Sequence, residues 1–100
     1  MDKYKVKLLP KAYRDLNNIY SYIAKELEAP DTADAMADLL ENAILGLDEM
    51  PYRGAERKVG SYANRGYRQL FEKNYTIIYR IDEAKKTVII VTIKYTPSNF

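Results

Sequence analysis

The stretch from Gly66 to Tyr95, GYRQLFEKNYTIIYRIDEAKKTVIIVTIKY, most constrains the fold, because it holds three strand-like runs separated by short polar breaks. Tyr, Ile, Val and Thr dominate these runs, and such aromatic and β-branched side chains suit a pleated, half-buried surface. No other part of the sequence is as regular. We therefore predict a three-stranded β-meander in this stretch.

The pairing of the last two strands follows if residues 82–86 form their connecting loop, because directly opposed residues point to the same face. One face is then almost wholly apolar and pairs Ile81 with Thr87, Tyr79 with Ile89, Ile77 with Val91 and Tyr75 with Ile93. The other face becomes polar away from the loop and pairs Arg80 with Val88, Ile78 with Ile90, Thr76 with Thr92 and Asn74 with Lys94. We expect the first face to pack and the second to carry function.

Two amphipathic helices are predicted before the meander. In residues 11–27 and again in residues 33–47, apolar side chains recur at three- and four-residue spacing, which is one face of a helix. Asp31 or Thr32 can serve as the N-cap of the second helix. Because the linker has only a few residues, the helices must form an antiparallel hairpin, and their apolar stripes need the meander as a partner.

The fold class follows from the order of these elements. Residues 4–9, YKVKLL, alternate apolar residues with Lys, so they predict a strand with one wet face. The complete order β-α-α-β-β-β predicts an α+β fold in which the helical hairpin packs on a mainly antiparallel sheet. A chain of 100 residues is the size of one domain, so we expect residues 1–100 to form a single domain.

Composition excludes several kinds of chemistry. The chain has no Cys and no His, so the commonest zinc ligands and the commonest general base are missing. We predict no metal and no cofactor, and any catalysis must use Lys, Arg, Tyr or carboxylates. No apolar run reaches the roughly 18 residues of a membrane span, and the first residues lack a stretch typical of signal peptides. We therefore expect a cytoplasmic protein with no membrane partner.

Charge is segregated along the chain. Residues 11–50 contain three basic and nine acidic side chains, whereas residues 51–73 contain six basic and two acidic ones. The basic part includes a long segment, residues 51–65, that is predicted to be an irregular loop with Tyr52 and Tyr62 between its cations. Such a loop suits phosphate neutralisation and base stacking, or an acidic protein partner. An ordinary solvated surface is the alternative.

Six local phrases support a more specific interpretation. They are LPKA at 9–12, DL at 15–16, IYSYIA at 19–24, MPYRG at 50–54, GYRQL at 66–70 and KNYTIIYRID at 73–82. In order and spacing, and across essentially the whole chain, they resemble the RelE/ParE superfamily of toxins from bacterial toxin–antitoxin modules.

The resemblance implies one of two mechanisms on one fold. Relatives like ParE bind and poison DNA gyrase, whereas relatives like RelE are ribosome-dependent mRNA endonucleases. The endonucleases use Lys and Arg around the scissile phosphate and need no metal. In both cases a cognate antitoxin wraps the toxin and silences it, which implies a toxin–antitoxin hetero-oligomer.

The nuclease positions of the family do not carry over well. Phe71 aligns where nucleases carry a catalytic Arg, with Arg68 three residues earlier, and residues 95–100 contain no Arg, His or terminal Tyr. The comparison therefore favours a ParE-like inhibitor of DNA gyrase. An mRNA endonuclease is the alternative, and a degenerate, non-toxic member is a third hypothesis.

Candidate residues follow from these hypotheses. If the chain is a nuclease, its candidate catalytic residues are Arg68, Arg65, Lys94 and Tyr95. The candidate contacts to the target or to phosphate are Arg53, Arg57, Lys58 and Lys73. The candidate antitoxin-facing residues are Thr76, Arg80 and Thr92, while Tyr67, Tyr75 and Tyr79 are expected to pack. We also expect Arg68→Ala to reduce toxicity without unfolding the protein.

Overall fold

A computed structural model describes residues 3–97 and confirms the α+β class. The elements are β1 (Lys5–Leu8), α1 (Pro10–Ser21), a π-helical turn (Tyr22–Glu26), α2 (Pro30–Leu45), a 3-10 turn (Gly46–Asp48), β2 (Ala55–Glu56), β3 (Arg68–Glu72), β4 (Tyr75–Asp82) and β5 (Thr87–Tyr95). The strands form one sheet in the order β1-β5-β4-β3-β2. β1 runs parallel to β5, and the other neighbours are antiparallel.

Each helix begins at a proline. Pro10 and Pro30 occupy the first turn of α1 and α2, where the missing N–H of proline leaves no intrahelical bond unmade. The N-cap of α2 is Ala29, so the prediction that Asp31 or Thr32 caps this helix is wrong. Both residues lie inside the first turn, because proline can start the helix without a capping side chain.

The helical hairpin packs on one face of the sheet, as predicted. Leu40 and Ile44 of α2 are almost fully buried, and they belong to the same core as Ile77, Val88 and Ile90 of the sheet. Fully burying one such aliphatic side chain contributes about 1.5–3 kcal/mol to folding. We call this side of the sheet the packing face.

The predicted pairing of β4 with β5 is wrong. The connecting turn is shorter than predicted, since Asp82 already pairs with Thr87, and near this turn Tyr79 pairs with Ile90. The register then shifts, so that Ile78 pairs with Thr92 and Val91 is left as the extra residue of a β-bulge. Beyond the bulge Ile77 pairs with Ile93, Thr76 with Lys94 and Tyr75 with Tyr95.

The shorter turn places the first half of β5 on the face opposite to the predicted one, and the bulge returns Ile93 and Lys94 to their predicted faces. The packing face of β4 is the predicted one, with Tyr75, Ile77, Tyr79 and Ile81, but that of β5 consists of Val88, Ile90, Ile93 and Tyr95. Thr76 therefore does not oppose Thr92, and Asn74 does not oppose Lys94. The alternating pattern of β5 alone could not reveal this, because a bulge breaks the two-residue period.

Tyr79 anchors the segment that follows the helices. Its ring is fully buried, as predicted, and its hydroxyl donates to the carbonyl oxygen of Pro51 at 2.8 Å. The backbone N–H of Gly54 donates back to the same hydroxyl at 2.9 Å. A Cβ at Gly54 would lie 2.4 Å from the Gln69 carbonyl oxygen and 2.6 Å from the Tyr79 hydroxyl, so a larger residue would force the backbone away.

We expect Tyr79→Phe to destabilise the protein by about 1–3 kcal/mol, because it leaves a buried carbonyl and a buried N–H unpaired. Urea denaturation measures the change. The matched control is Tyr20→Phe, which removes a surface hydroxyl that donates to Asp34 at 2.9 Å and should cost less than about 0.5 kcal/mol. Equal losses of stability in the two variants would contradict this role of Tyr79.

Candidate functional site on the open sheet face

The face of the sheet opposite the helices, which we call the open face, has a mostly buried central row of paired residues, Gln69, Ile78 and Thr92, with one further row on each side. One of these further rows crosses three strands as Phe71, Thr76 and Lys94. The other crosses three strands as Arg80, Ile89 and Lys7. Because paired residues share a face, the members of each row are side by side.

The open face combines a buried floor with an aromatic and basic surface. Thr76 in the first row is buried, whereas the Phe71 side chain beside it is 54% exposed. The charged members of both rows, Lys7, Arg80 and Lys94, are all basic. Cations next to an exposed ring suit an acidic, partly apolar polypeptide or a nucleic acid strand.

The three candidate antitoxin-facing residues differ in exposure. Arg80 is exposed on the open face. Thr76 and Thr92 are buried, and their hydroxyls are engaged inside the protein. The hydroxyl of Thr76 shares a hydrogen bond with that of Thr96 at 2.8 Å, and the hydroxyl of Thr92 donates to the Asp15 carboxylate. Arg80 is therefore the member that a partner could contact directly.

Arg57, a candidate phosphate contact, organises residues 57–67, which we call the basic loop. Its side chain is 8% exposed; Nε donates to the Ser61 carbonyl oxygen at 2.8 Å and Nη1 to Gln69 Oε1 at 3.0 Å. Its backbone N–H and carbonyl bond to Tyr67 and Asn64, both at 2.9 Å. These bonds close residues 57–67 into a defined loop.

The other cations of this region lie on the surface. Arg53, Lys58 and Arg65 are exposed along residues 51–66, and Lys73 is exposed in the turn between β3 and β4. The prediction of an irregular segment at 51–65 needs one correction. Residues 55–56 form β2, because their pairing with β3 extends the sheet edge by a short strand.

Arg68 supports the segment that Tyr79 anchors. Its Nε donates to the Gly54 carbonyl oxygen at 3.0 Å and its Nη2 to the Tyr52 carbonyl oxygen at 3.3 Å. Its guanidinium also lies over the Tyr52 ring, 5.1 Å from the ring centre. Several donors of this candidate catalytic residue are therefore directed to protein carbonyls.

The carboxylate of Glu83, which has no assigned role in the sequence analysis, also holds the segment that contains Tyr52. Glu83 accepts hydrogen bonds from the hydroxyls of Tyr52 and Tyr4 and forms an ion pair with Lys86 at 3.0 Å. The Tyr52 bond, the Tyr4 bond and Lys86 together lower the pKa of Glu83 to about 2. Glu83 lies in a polar turn with an ordinary composition, so only the tertiary structure brings the two tyrosines to it.

Asp15 is a second carboxylate that the sequence analysis did not assign. It accepts the Thr92 hydroxyl and the Ile93 N–H, the latter at 3.1 Å, and pairs with Lys11 at 3.2 Å. Burial raises its pKa, but these partners more than compensate and hold the pKa below its ordinary value. Asp15 lies three residues after buried Ala12, on the inward stripe of α1, and that position was the available sequence signal.

The four candidate nuclease residues do not converge. Lys94 belongs to the open face, whereas its neighbour Tyr95 pairs with Tyr75 on the packing face, with ring centres 5.8 Å apart. Arg65 lies in the basic loop, and Arg68 holds the segment before β2. Tyr95 instead lines an apolar cavity of about 720 Å³ at the end of the helical hairpin, together with Asn18, Ile19, Tyr22, Ile23, Leu27, Thr32, Met36, Asn74 and Tyr75.

Within residues 3–97, no helix has the length and apolar character needed to cross a membrane. The same residues hold no group of three or more acidic side chains placed to bind a metal ion. The terminal Phe100, which the family comparison considered, lies outside the described residues.

Comparison with solved structures finds toxins with the same architecture. The chromosomal ParDE toxin–antitoxin system of P. aeruginosa superposes with a TM-score of 0.75 at 23% identity, over 93% of this chain and 96% of that one. The toxin–antitoxin complex RelBE2 of Mycobacterium tuberculosis gives 0.65 at 25% identity, over 95% and 93%. A mutant of the E. coli toxin RelE in the free state gives 0.63 at 12% identity, over 95% and 85%.

The sequence comparison is more specific. A family model described as the ParE toxin of the type II toxin–antitoxin system parDE matches residues 6–99. The chain therefore belongs to the ParE toxin family, within the RelE/ParE superfamily of type II toxins. None of the curated proteins matches the chain.

Acid should loosen the cluster around Glu83. Its folded-state pKa is about 2 and its ordinary value 4.5, so its stabilising effect is complete above the ordinary pKa and is lost as pH falls from about 4.5 to about 2. We expect Glu83→Gln to reduce the difference between urea midpoints at about pH 6 and about pH 3. The matched variant Glu41→Gln, at an exposed site on α2, should keep the same difference in urea midpoint as the unmodified chain. An equal difference in the two variants would contradict the role given to Glu83.

Proposed function

We propose that this ParE-family chain inhibits growth by acting on DNA gyrase in the cytoplasm without cleaving nucleic acid itself. We further propose that a cognate antitoxin silences it by covering the open face. The observation that carries the proposal is the row of Phe71, Thr76 and Lys94, which presents an aromatic ring at the position where the resemblance to the superfamily implies the catalytic Arg of the nucleases.

The geometry of β5 supports a non-hydrolytic function. Metal-free cleavage of RNA needs a proton donor or acceptor beside the cations that stabilise the phosphate. Lys94 and Tyr95 are consecutive residues of an extended strand, and consecutive side chains of a strand point to opposite faces. The tyrosine hydroxyl is therefore separated by the sheet from the cations of the open face.

The open face has the chemistry expected of an antitoxin site. Lys7, Arg80 and Lys94 are positive and Phe71 is exposed, so an antitoxin segment with acidic and apolar residues fits by charge and by burial. ParDE and RelBE2, two of the similar structures, are toxin–antitoxin assemblies. We propose a toxin–antitoxin hetero-oligomer of the same kind here.

Ribosome-dependent cleavage of mRNA is the second candidate function. It is favoured by the exposed cations Lys58 and Arg65 on a loop that Arg57 holds in a defined shape. It is also favoured by the similarity to RelBE2 of M. tuberculosis at 25% identity. In that case the phosphate clamp would consist of loop cations, and the proton transfer would need a group outside the open face.

Parallel assays of the purified chain distinguish these functions. We expect it to inhibit supercoiling by gyrase and to trap gyrase–DNA breaks, while translation of a reporter mRNA in a ribosome extract continues. Cleavage of ribosome-bound mRNA with unaffected supercoiling would replace the gyrase proposal by the endonuclease. No effect in either assay and no inhibition of growth would identify a non-toxic member.

Arg68→Ala tests whether the segment after the helices contributes to toxicity. We expect the variant to remain folded, with a loss of about 1.5–3 kcal/mol because hydrogen bonds from a charged group are removed, and to inhibit growth less because Tyr52 and Gly54 lose their support. Growth after induction and urea unfolding are measured together. The control Arg14→Ala, an exposed site on α1, should be as toxic as the unmodified chain. Full toxicity of Arg68→Ala would exclude this segment from the target surface.

A further inference from the structure

The bulge in β5 decides which face of the sheet receives Lys94. Next to the turn Tyr79 pairs with Ile90, and regular continuation of that register would place Ile93 opposite Thr76. Lys94 would then oppose Tyr75 on the packing face. The extra residue Val91 shifts the register by one position, so Ile93 is buried in the core and Lys94 opposes Thr76 on the open face.

The edge of β5 changes neighbour at the same point. β1 ends at Leu8, which pairs with Ile90, and the Leu9 N–H makes the following bond to the Ile90 carbonyl oxygen at 3.0 Å. Within residues 3–97, no strand continues along this edge past Ile90. The backbone N–H of Ile93, which lies at this edge, can therefore donate a hydrogen bond to a side chain of α1.

Asp15 provides that group. Its carboxylate accepts the Ile93 N–H at 3.1 Å and also the Thr92 hydroxyl, so one side chain holds the two residues that follow Val91. Lys11 completes the arrangement, because its Nζ lies 3.0 Å from the Thr92 hydroxyl oxygen and 3.2 Å from Asp15. The Asp15 side chain is only 14% exposed, which limits competition from water.

We propose that Asp15 is a positioning residue for the open face: by holding Thr92 and Ile93 it keeps the bulge closed and keeps Lys94 on the side where a partner binds. The geometric part of this inference rests on the strand register and on the hydrogen bonds of Asp15. Only the importance of Lys94 for the partner rests on the proposed function. Asp15 bonds to Thr92 and Ile93 and not to Lys94 itself, so it acts on Lys94 through the backbone of β5.

The natural chain has no cysteine, so engineered cysteine pairs can report on the register without background. Thr76→Cys with Lys94→Cys places a pair beyond the bulge, and Arg80→Cys with Ile89→Cys places a control pair between the bulge and the turn. Directly opposed residues bring their Cβ atoms close enough for a disulfide. Equilibration with glutathione then gives the effective concentration of each pair.

We expect Asp15→Ala to lower the effective concentration of the 76/94 pair about tenfold, since a hydrogen bond to a charged group is lost. The 80/89 pair should change by less than about twofold, because it lies on the other side of the bulge. Asp15→Asn, which keeps one acceptor oxygen but not the charge, should give a smaller fall. It also serves as the test if the alanine variant does not fold.

Two results would overturn the inference. An unchanged 76/94 pair would mean that the bulge holds without Asp15, and an equal fall in both pairs would mean a general loosening of the sheet. Asp38→Ala, at an exposed site on α2, is the matched control and should leave both pairs unchanged. Hydrogen exchange gives an independent readout, in which the Ile93 amide should exchange faster in Asp15→Ala but not in Asp38→Ala.

Growth inhibition separates this inference from the proposed function. If Lys94 contacts the partner, the effects of Asp15→Ala and Lys94→Ala on growth, or on silencing by a co-expressed antitoxin, should be less than additive. If Lys94→Ala changes neither property, the role given to Lys94 is wrong, while the cross-linking result still decides whether Asp15 sets the register.

Discussion

The pairing of β4 with β5 is the interaction on which the rest of the structure depends. These two strands form the centre of the sheet, with β1 on one side and β3 on the other, so their register sets which side chains meet the helices and which form the open face. The bulge at Val91 lets Ile90 and Ile93 both enter the core although they are three residues apart. A regular strand cannot do this, because its faces alternate every residue. The core and the candidate binding surface are therefore two results of a single shift in register.

The basic residues of the chain serve different purposes, although they look equivalent in the sequence. Arg57 and Arg68 use their guanidinium groups on backbone carbonyls and on Gln69, and so give shape to segments that have little regular hydrogen bonding of their own. A planar guanidinium suits this task, since its donors diverge in a fixed fork. Lys58, Arg65 and Arg80 remain on the surface, where they contribute to the electrostatic field that a partner meets.

Membership of the ParE family identifies the chain as a toxin of a type II toxin–antitoxin module, but one fold in this superfamily supports more than one activity. The difference must then lie in a few side chains on a shared surface. In this chain the open face joins cations to an exposed Phe71, and the hydroxyl of Tyr95 lies on the other side of the sheet. Such a surface is suited to binding rather than to proton transfer. The register of β4 and β5 therefore bears directly on the proposed action on gyrase.

The sequence by itself determined the fold class, the helical hairpin, the three strands of the meander and the burial of Tyr79, because apolar periodicity and chain order are local properties. It also located the basic segment and the face of β4 that packs. Only the tertiary structure decided the register of β5 and the burial of Thr76 and Thr92. Asp15 reaches β5 from α1, and Glu83 joins Tyr4 to Tyr52 across most of the chain. Hydrogen bonds between residues so far apart leave no periodic trace in the sequence, and a single bulge reverses the face of every residue that follows it.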